Sequence, residues 1–87
     1  MTVVSKIEGS FVETEVDEEI VLMRISDGDF FSLEGTALAI WQAIDGARDR
    51  AQIVGHLAAE FEAPAQAIEA DTNAFLDELV AAGLVTG

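Results

Sequence analysis

The pattern of hydrophobic residues in the first third of this chain predicts β-strands, with the middle one nearly continuously apolar. Three stretches rich in β-forming residues lie at 11–16, 20–25 and 30–33. A polar turn at 17–19 separates the first two, and the turn at 27–29, with Gly28 at its centre, predicts a tight hairpin between the last two. In the third stretch, alternation places Phe31 and Leu33 on the core face and Phe30 and Ser32 on the other. We therefore expect a three-stranded antiparallel sheet.

Farther along, apolar residues recur at the three- and four-residue spacing of amphipathic helices. The three stripes consist of Ala37, Ile40, Trp41 and Ile44; of Ile53, Val54, Leu57, Ala58 and Phe61; and of Ile68, Thr72, Phe75, Leu76 and Leu79. Thr36 and Asp49 are the predicted N-caps of the first two helices, and Pro64 lies in the first turn of the third. Gly83 ends the third helix, and the apolar pair after it is expected to fold back on the core.

This order of elements predicts an α+β, winged-helix-like fold, in which a three-stranded antiparallel sheet is followed by three helices. The first ten residues have a weak pattern that stops at Gly9-Ser10, so residues 1–10 are expected to form a loosely ordered arm. Residues 11–87 are expected to form a single domain, because a chain of 87 residues is too short to divide into two cores.

The composition excludes most kinds of chemical site. The sequence has no cysteine and one histidine, His56, which excludes thiolate metal sites, cysteine nucleophiles and histidine clusters. Glycine-rich nucleotide-binding motifs and the serine-nucleophile elbow are also missing. The acids at 13–19 lack the spaced ligands and the glycine of a calcium loop. We therefore expect no enzyme, no metal site and no cofactor.

Charge excludes a further class of partner. Seventeen acidic residues against four basic ones give a formal net charge of −13. Nucleic-acid binding needs a basic surface, and the third predicted helix, at the recognition-helix position of a winged helix, contains neither lysine nor arginine. No apolar run has the length of a signal peptide or a membrane span. We expect neither nucleic-acid nor membrane partners, and a cytoplasmic location.

An open sheet suggests a binding site instead. The unpaired edge of a sheet is a template for another strand. If the third strand is an edge and the third helix packs beside it, an extended peptide in the groove would gain main-chain hydrogen bonds from the strand and apolar contacts from the helix. Asp71 could pair with a basic peptide residue. The same edge would also permit a strand-paired homodimer.

Several residues occur in the order and spacing of a known family. They are the turn glycine before Phe30 and Phe31, then Leu33, Thr36-Ala37, Ile40-Trp41, Asp45-Gly46, Ile53, Leu57, Asp71, Phe75-Leu76, Leu79 and Gly83-Leu84. Over about residues 11–85 the chain resembles the PqqD-like family of precursor-peptide recognition domains, which serve ribosomally synthesised and post-translationally modified peptides (RiPPs).

The resemblance implies that residues 11–87 form a peptide-recognition domain that binds the leader segment of a precursor peptide as a strand added to the third strand. It also implies an adaptor that delivers the peptide to a modifying enzyme, such as a radical enzyme, a protease or a cyclase, and that is not itself a catalyst. Carried onto this sequence, the peptide-binding residues are Phe30, Phe31, Ser32, Leu33, Ile68, Asp71, Thr72 and Phe75.

Two departures from the family pattern change what the resemblance implies. Glu34 stands where the family commonly has an asparagine suited to cap the first helix, so the cap is expected at Thr36 or Gly35. The Leu-Leu-Tyr-Pro and Leu-Cys-Asp-Gly signatures of the pyrroloquinoline-quinone branch are replaced at 21–24 and 42–46. A lasso-type or other modified peptide is therefore favoured over the quinone cofactor. The alternative function is a non-catalytic winged-helix subunit that docks to a protein or regulates it.

Overall fold

The computed structural model describes residues 2–87 and confirms the α+β, winged-helix-like arrangement. The elements in chain order are β1 (Ser5–Lys6), β2 (Phe11–Val16), β3 (Glu19–Arg24), β4 (Phe30–Leu33), α1 (Gly35–Ala43), α2 (Arg50–Glu60), α3 (Ala65–Ala81) and β5 (Val85–Thr86). Strands β2, β3 and β4 form an antiparallel sheet with β3 in the middle, and β1 pairs with β5 in a separate two-stranded sheet. Among the described residues, no helix has both the length and the hydropathy of a membrane-spanning segment.

The register of the three-stranded sheet separates a core face from an outer face. Leu22 lies opposite Phe31, and Ile20 lies opposite Leu33. Ile20, Leu22 and Leu33 belong to one buried cluster with residues of all three helices, so the helices cover this face. Side chains at the intervening positions, such as Met23, point to the opposite, outer face because successive residues of a strand alternate.

Trp41 joins helix α1 to the first two strands. Its side chain is fully buried, and the ring of Phe11 meets it edge-on with 5.2 Å between the ring centroids. The indole N–H donates a hydrogen bond of 3.0 Å to the Glu13 carboxylate, and the Lys6 ammonium lies 4.3 Å from the centroid of the ring. The predicted α1 stripe is therefore a core element that also fixes β2.

The helix ends match the predictions at Asp49 and Gly83 and differ at the starts of α1 and α3. Pro64, expected in the first turn of α3, is the extended N-cap residue before Ala65. Asp49 caps α2 in a reciprocal arrangement with Gln52, as expected. Gly83, at φ +77°, ends α3, and Leu84 after it donates to the Leu79 carbonyl at 3.0 Å, which turns the chain back into the core as predicted. The predicted cap of α1 was wrong: Glu34 holds the N-cap position, and its side chain makes no capping bond.

The beginning of the chain does not match the loosely ordered arm predicted for residues 1–10. Val4 is fully buried, and its N–H donates to the Arg48 carbonyl at 2.9 Å. Beyond β1, the Ile7 N–H donates to the Leu84 carbonyl at 2.9 Å. The cause of this order is tertiary structure. After the turn at the end of α3, β5 pairs with β1 and holds the start of the chain in place. Met1 lies outside the described residues.

Candidate functional site

Strand β4 is an edge of its sheet, and its hydrogen-bond pattern shows which backbone groups face outward. The Arg24 N–H donates to the Asp29 carbonyl at 2.8 Å, so the backbone groups that face β3 are fixed at the start of the ladder. Hydrogen-bonded and non-bonded pairs alternate in an antiparallel ladder, and the register therefore directs Phe31 and Leu33 toward β3. The N–H and C=O groups of Phe30 and Ser32 point away from the sheet. An extended peptide alongside β4 would find these groups at the spacing of another ladder.

The opposite edge, formed by β2, is less suited to an added strand. The same alternation, set by the 3.0 Å bond from the Ile25 N–H to the Ser10 carbonyl, turns the backbone groups of Phe11, Glu13 and Glu15 outward. Two of these three residues are acidic, and charged residues on an edge strand discourage pairing with another chain. On the β4 edge, the residues with outward backbone groups are Phe30 and Ser32, and neither is charged.

Helix α3 is the second wall that the family resemblance implies for a peptide groove. No Cα atom of β4 lies within 8 Å of a Cα atom of α3, so the two elements do not close against each other. Phe31 on the strand and Ile68 and Phe75 on the helix are half-buried, and each packs against the core cluster. These side chains keep part of their apolar surface exposed, which an apolar peptide side chain could cover.

The structure divides the eight residues implied by the resemblance into two groups. Six of them keep exposed surface: Phe30, Phe31, Ser32, Ile68, Asp71 and Phe75. Phe30 is 71% exposed and belongs to the outer face of the sheet. Leu33 and Thr72 are only 3% and 0% exposed, so both are core side chains in this conformation.

Thr72 leads to a stability prediction. Its hydroxyl oxygen is buried without a hydrogen-bond partner among the described residues. Thr72→Val replaces the hydroxyl by a methyl group of similar size and removes that desolvation penalty, so we expect the free energy of unfolding to rise by about 1 kcal/mol. Chemical denaturation followed by circular dichroism measures the change. Thr72→Ser, which keeps the hydroxyl and loses the methyl, is expected to be destabilising; a loss of stability in Thr72→Val would contradict the assignment.

Arg24 is a positioning residue of the site that sequence reasoning missed. Its guanidinium donates to the Ala82 carbonyl at the end of α3 at 3.2 Å and to the Asp27 carboxylate at 2.5 Å, and lies 5.5 Å from the centroid of the Phe31 ring. It therefore ties the β3–β4 hairpin to the C-terminus of α3, where carbonyl groups attract a cation. The available signal was a single arginine in an apolar strand, with two aspartates just across a tight turn.

The Arg24–Asp27 ion pair leads to a prediction of the pH at which the Asp27 carboxyl titrates. The hydrogen bond from the Arg24 guanidinium, together with the Asp29 backbone N–H, lowers the pKa of Asp27 from 3.8 to about 2. Because the folded-state pKa is the lower one, the pair's contribution to stability is complete above pH 3.8 and is lost as the pH falls toward 2. Carboxyl-detected NMR should find the Asp27 midpoint near 2. In Arg24→Gln that midpoint should rise toward 3.8, and an unchanged midpoint would refute Arg24 as the cause of the shift.

Comparisons with known proteins agree with the family resemblance and with this fold. The family model described as "Coenzyme PQQ synthesis protein D (PqqD)" matches residues 19–85. A solved structure of TbiB1 in complex with the TbiA(beta) leader peptide contains a chain with a TM-score of 0.81 and 28% sequence identity to this one; the match covers 94% of this chain and 95% of that chain. Among curated proteins, none matches this sequence.

Proposed function

Because this chain belongs to the PqqD family, we propose that it binds the leader segment of a RiPP precursor as a strand added to β4 and delivers it to a modifying enzyme. The observation that carries the proposal is the outward direction of the Phe30 and Ser32 backbone groups at the open edge of the sheet. The likeness to TbiB1, whose structure holds a leader peptide, supports a leader peptide as the ligand. In this proposal the chain acts as an adaptor and catalyses no reaction.

Each exposed site residue has a role in the proposed complex. Phe30 and Ser32 exchange main-chain hydrogen bonds with the leader. Phe31, Ile68 and Phe75 accept apolar leader side chains, and Asp71 on the exposed side of α3 pairs with a lysine or arginine of the leader. Leu33 and Thr72 hold the walls of the groove from the core side.

The pathway served is proposed from the sequence. Since the two signatures of the quinone branch are replaced, we favour a lasso-type or other modified peptide. The enzyme that receives the peptide is then a protease or a cyclase, or a radical enzyme in other pathways. We place the adaptor in the cytoplasm, where ribosomal precursors are made. A homodimer paired through β4 would compete with the leader for the same backbone groups.

The experiment that tests the proposal is an NMR titration of labelled protein with the leader half of the precursor encoded beside its gene. Shifts confined to residues 29–34 and 67–79, saturating at one leader per chain, are expected. A scrambled leader of the same composition is the control, and it should cause no saturable shifts. If the native leader gives none at high micromolar concentration, the adaptor proposal fails and the non-catalytic docking or regulatory subunit replaces it.

A further inference from the structure

The outer face of the three-stranded sheet carries apolar side chains that the fold leaves uncovered. Val12 is 47% exposed and Phe30 is 71% exposed, whereas Val21 and Met23 between them are half-buried. None of these four belongs to the core cluster or packs against it. All three helices lie on the other face, so within residues 2–87 no element covers this one.

These side chains form one continuous patch. Val12 lies opposite Met23, and Met23 lies opposite Phe30, so the three make a row across the whole sheet. Val21 occupies the next row on the central strand, opposite Thr14 and Ser32. Side chains directly opposite each other in a sheet are in contact range. We call Val12, Val21, Met23 and Phe30 the outer patch.

Charge indicates what kind of surface could cover the outer patch. All four basic side chains are engaged within the molecule: Lys6 on the Trp41 ring, and Arg24, Arg48 and Arg50 with Asp27, Asp45 and Asp77. At the end of the sheet beside the patch, by contrast, four carboxylates line one open depression: Asp17, Glu18, Glu19 and Glu34. Among the described residues, no unpaired basic side chain therefore lies at either end of the sheet.

A second copy of this chain is a poor occupant for that reason. Two such faces packed together would bring equal acidic borders and net charges of −13 into proximity, which opposes association. A partner with an apolar patch bordered by lysine and arginine residues would instead gain from the same field. Charge complementarity therefore selects a different protein.

We propose that the outer patch is the docking surface for the modifying enzyme, through an apolar area of that enzyme bordered by basic residues. The inference rests on the proposed adaptor function. A leader strand added to β4 would lie next to Phe30, and every second leader side chain would extend the outer patch by one strand. The loaded adaptor thus presents a larger surface than the empty one, and the enzyme binds the loaded form more tightly.

The test uses two lysines placed two strands away from the leader edge. Val12→Lys with Val16→Lys charges the exposed outer side of β2 and leaves β4 unchanged. Ala51→Lys with Ala59→Lys, on exposed positions of α2, is the matched control for charge. Isothermal titration measures the affinity of each variant for the leader and for each purified modifying enzyme encoded beside the gene, with and without the leader present.

We expect the β2 double variant to bind its enzyme at least about tenfold more weakly than the wild type. The lysines repel the basic residues around the enzyme's apolar area, and burying their charges against that area costs desolvation energy. Its leader affinity and both affinities of the α2 control should equal those of the wild type. Wild-type affinity for the enzyme should be higher with the leader bound and should fall as salt concentration rises.

Other outcomes overturn the inference. Unchanged enzyme affinity in the β2 variant, or no enzyme binding by the loaded wild type, would exclude the outer patch as the docking surface. A wild-type dimer in sedimentation velocity that Val12→Lys dissociates would assign the patch to a second copy. Failure of the wild type to bind the leader is a separate result, since it would refute the adaptor function itself.

Discussion

Ser32→Pro is expected to weaken leader binding by about tenfold to a hundredfold while leaving the fold intact. The Ser32 N–H faces the free edge of β4, and proline has no N–H and places a ring where the donor was. The ladder to β3 is held by Phe31 and Leu33, so the same substitution removes no backbone bond within the sheet. It removes one exposed side-chain bond, from the Ser32 hydroxyl to the Glu19 carboxylate at 3.2 Å. The loss should therefore appear in binding and not in folding.

The control for this substitution lies on the other side of the sheet. Glu15→Pro removes an outward N–H from the β2 edge, and it should leave leader affinity unchanged if the leader adds to β4. Isothermal titration gives both dissociation constants, and circular dichroism checks that both variants keep their helices. Equal losses in the two variants, or a loss in Glu15→Pro alone, would place the leader elsewhere.

Val4→Asp is expected to lower the free energy of unfolding by about 3 kcal/mol or more, because it buries an unpaired carboxylate. Val4 is fully buried, and its backbone is held by the Arg48 carbonyl just before α2. Small domains have about 5–15 kcal/mol of stability in total, so much of the population should unfold under mild denaturant.

The neighbouring residue provides the comparison. Val3 is 41% exposed, and Val3→Asp should change the free energy of unfolding by no more than about 0.5 kcal/mol. Urea denaturation followed by far-ultraviolet circular dichroism distinguishes the two variants. If Val4→Asp lowered the free energy of unfolding as little as Val3→Asp, the start of the chain would contribute nothing to stability. The loosely ordered arm expected from the sequence would then describe the molecule in solution.

Much of the fold could be predicted from the sequence, because the residues that encode its turns, strands and helix ends are close together in the chain. The turn at 27–29 is encoded by Gly28 and the two aspartates beside it, and the strands on either side have the residues expected of them. Asp49 is followed three residues later by Gln52, and the end of α3 follows from Gly83. Each of these features depends on a few neighbouring residues, so the sequence alone was sufficient.

The candidate site was predicted only in part, because its details depend on residues distant in the chain. Alternation in the sequence already placed Leu33 on the core face, but the full burial of Thr72, in the same helical stripe as the half-buried Ile68 and Phe75, came only from the structure. Arg24 became part of the site only when the end of α3, 58 residues later, came within hydrogen-bond range.

The direction of the β4 backbone groups shows the limit most clearly. Alternation in the sequence gives the faces on which side chains lie, but the strand that receives each N–H is fixed by pairing with β3. Val4 illustrates the same point. A single valine forms no hydrophobic pattern in the sequence, and its burial follows from the pairing of β5 with β1. Local sequence determined the elements and their polarity, and long-range pairing determined which edge stayed open.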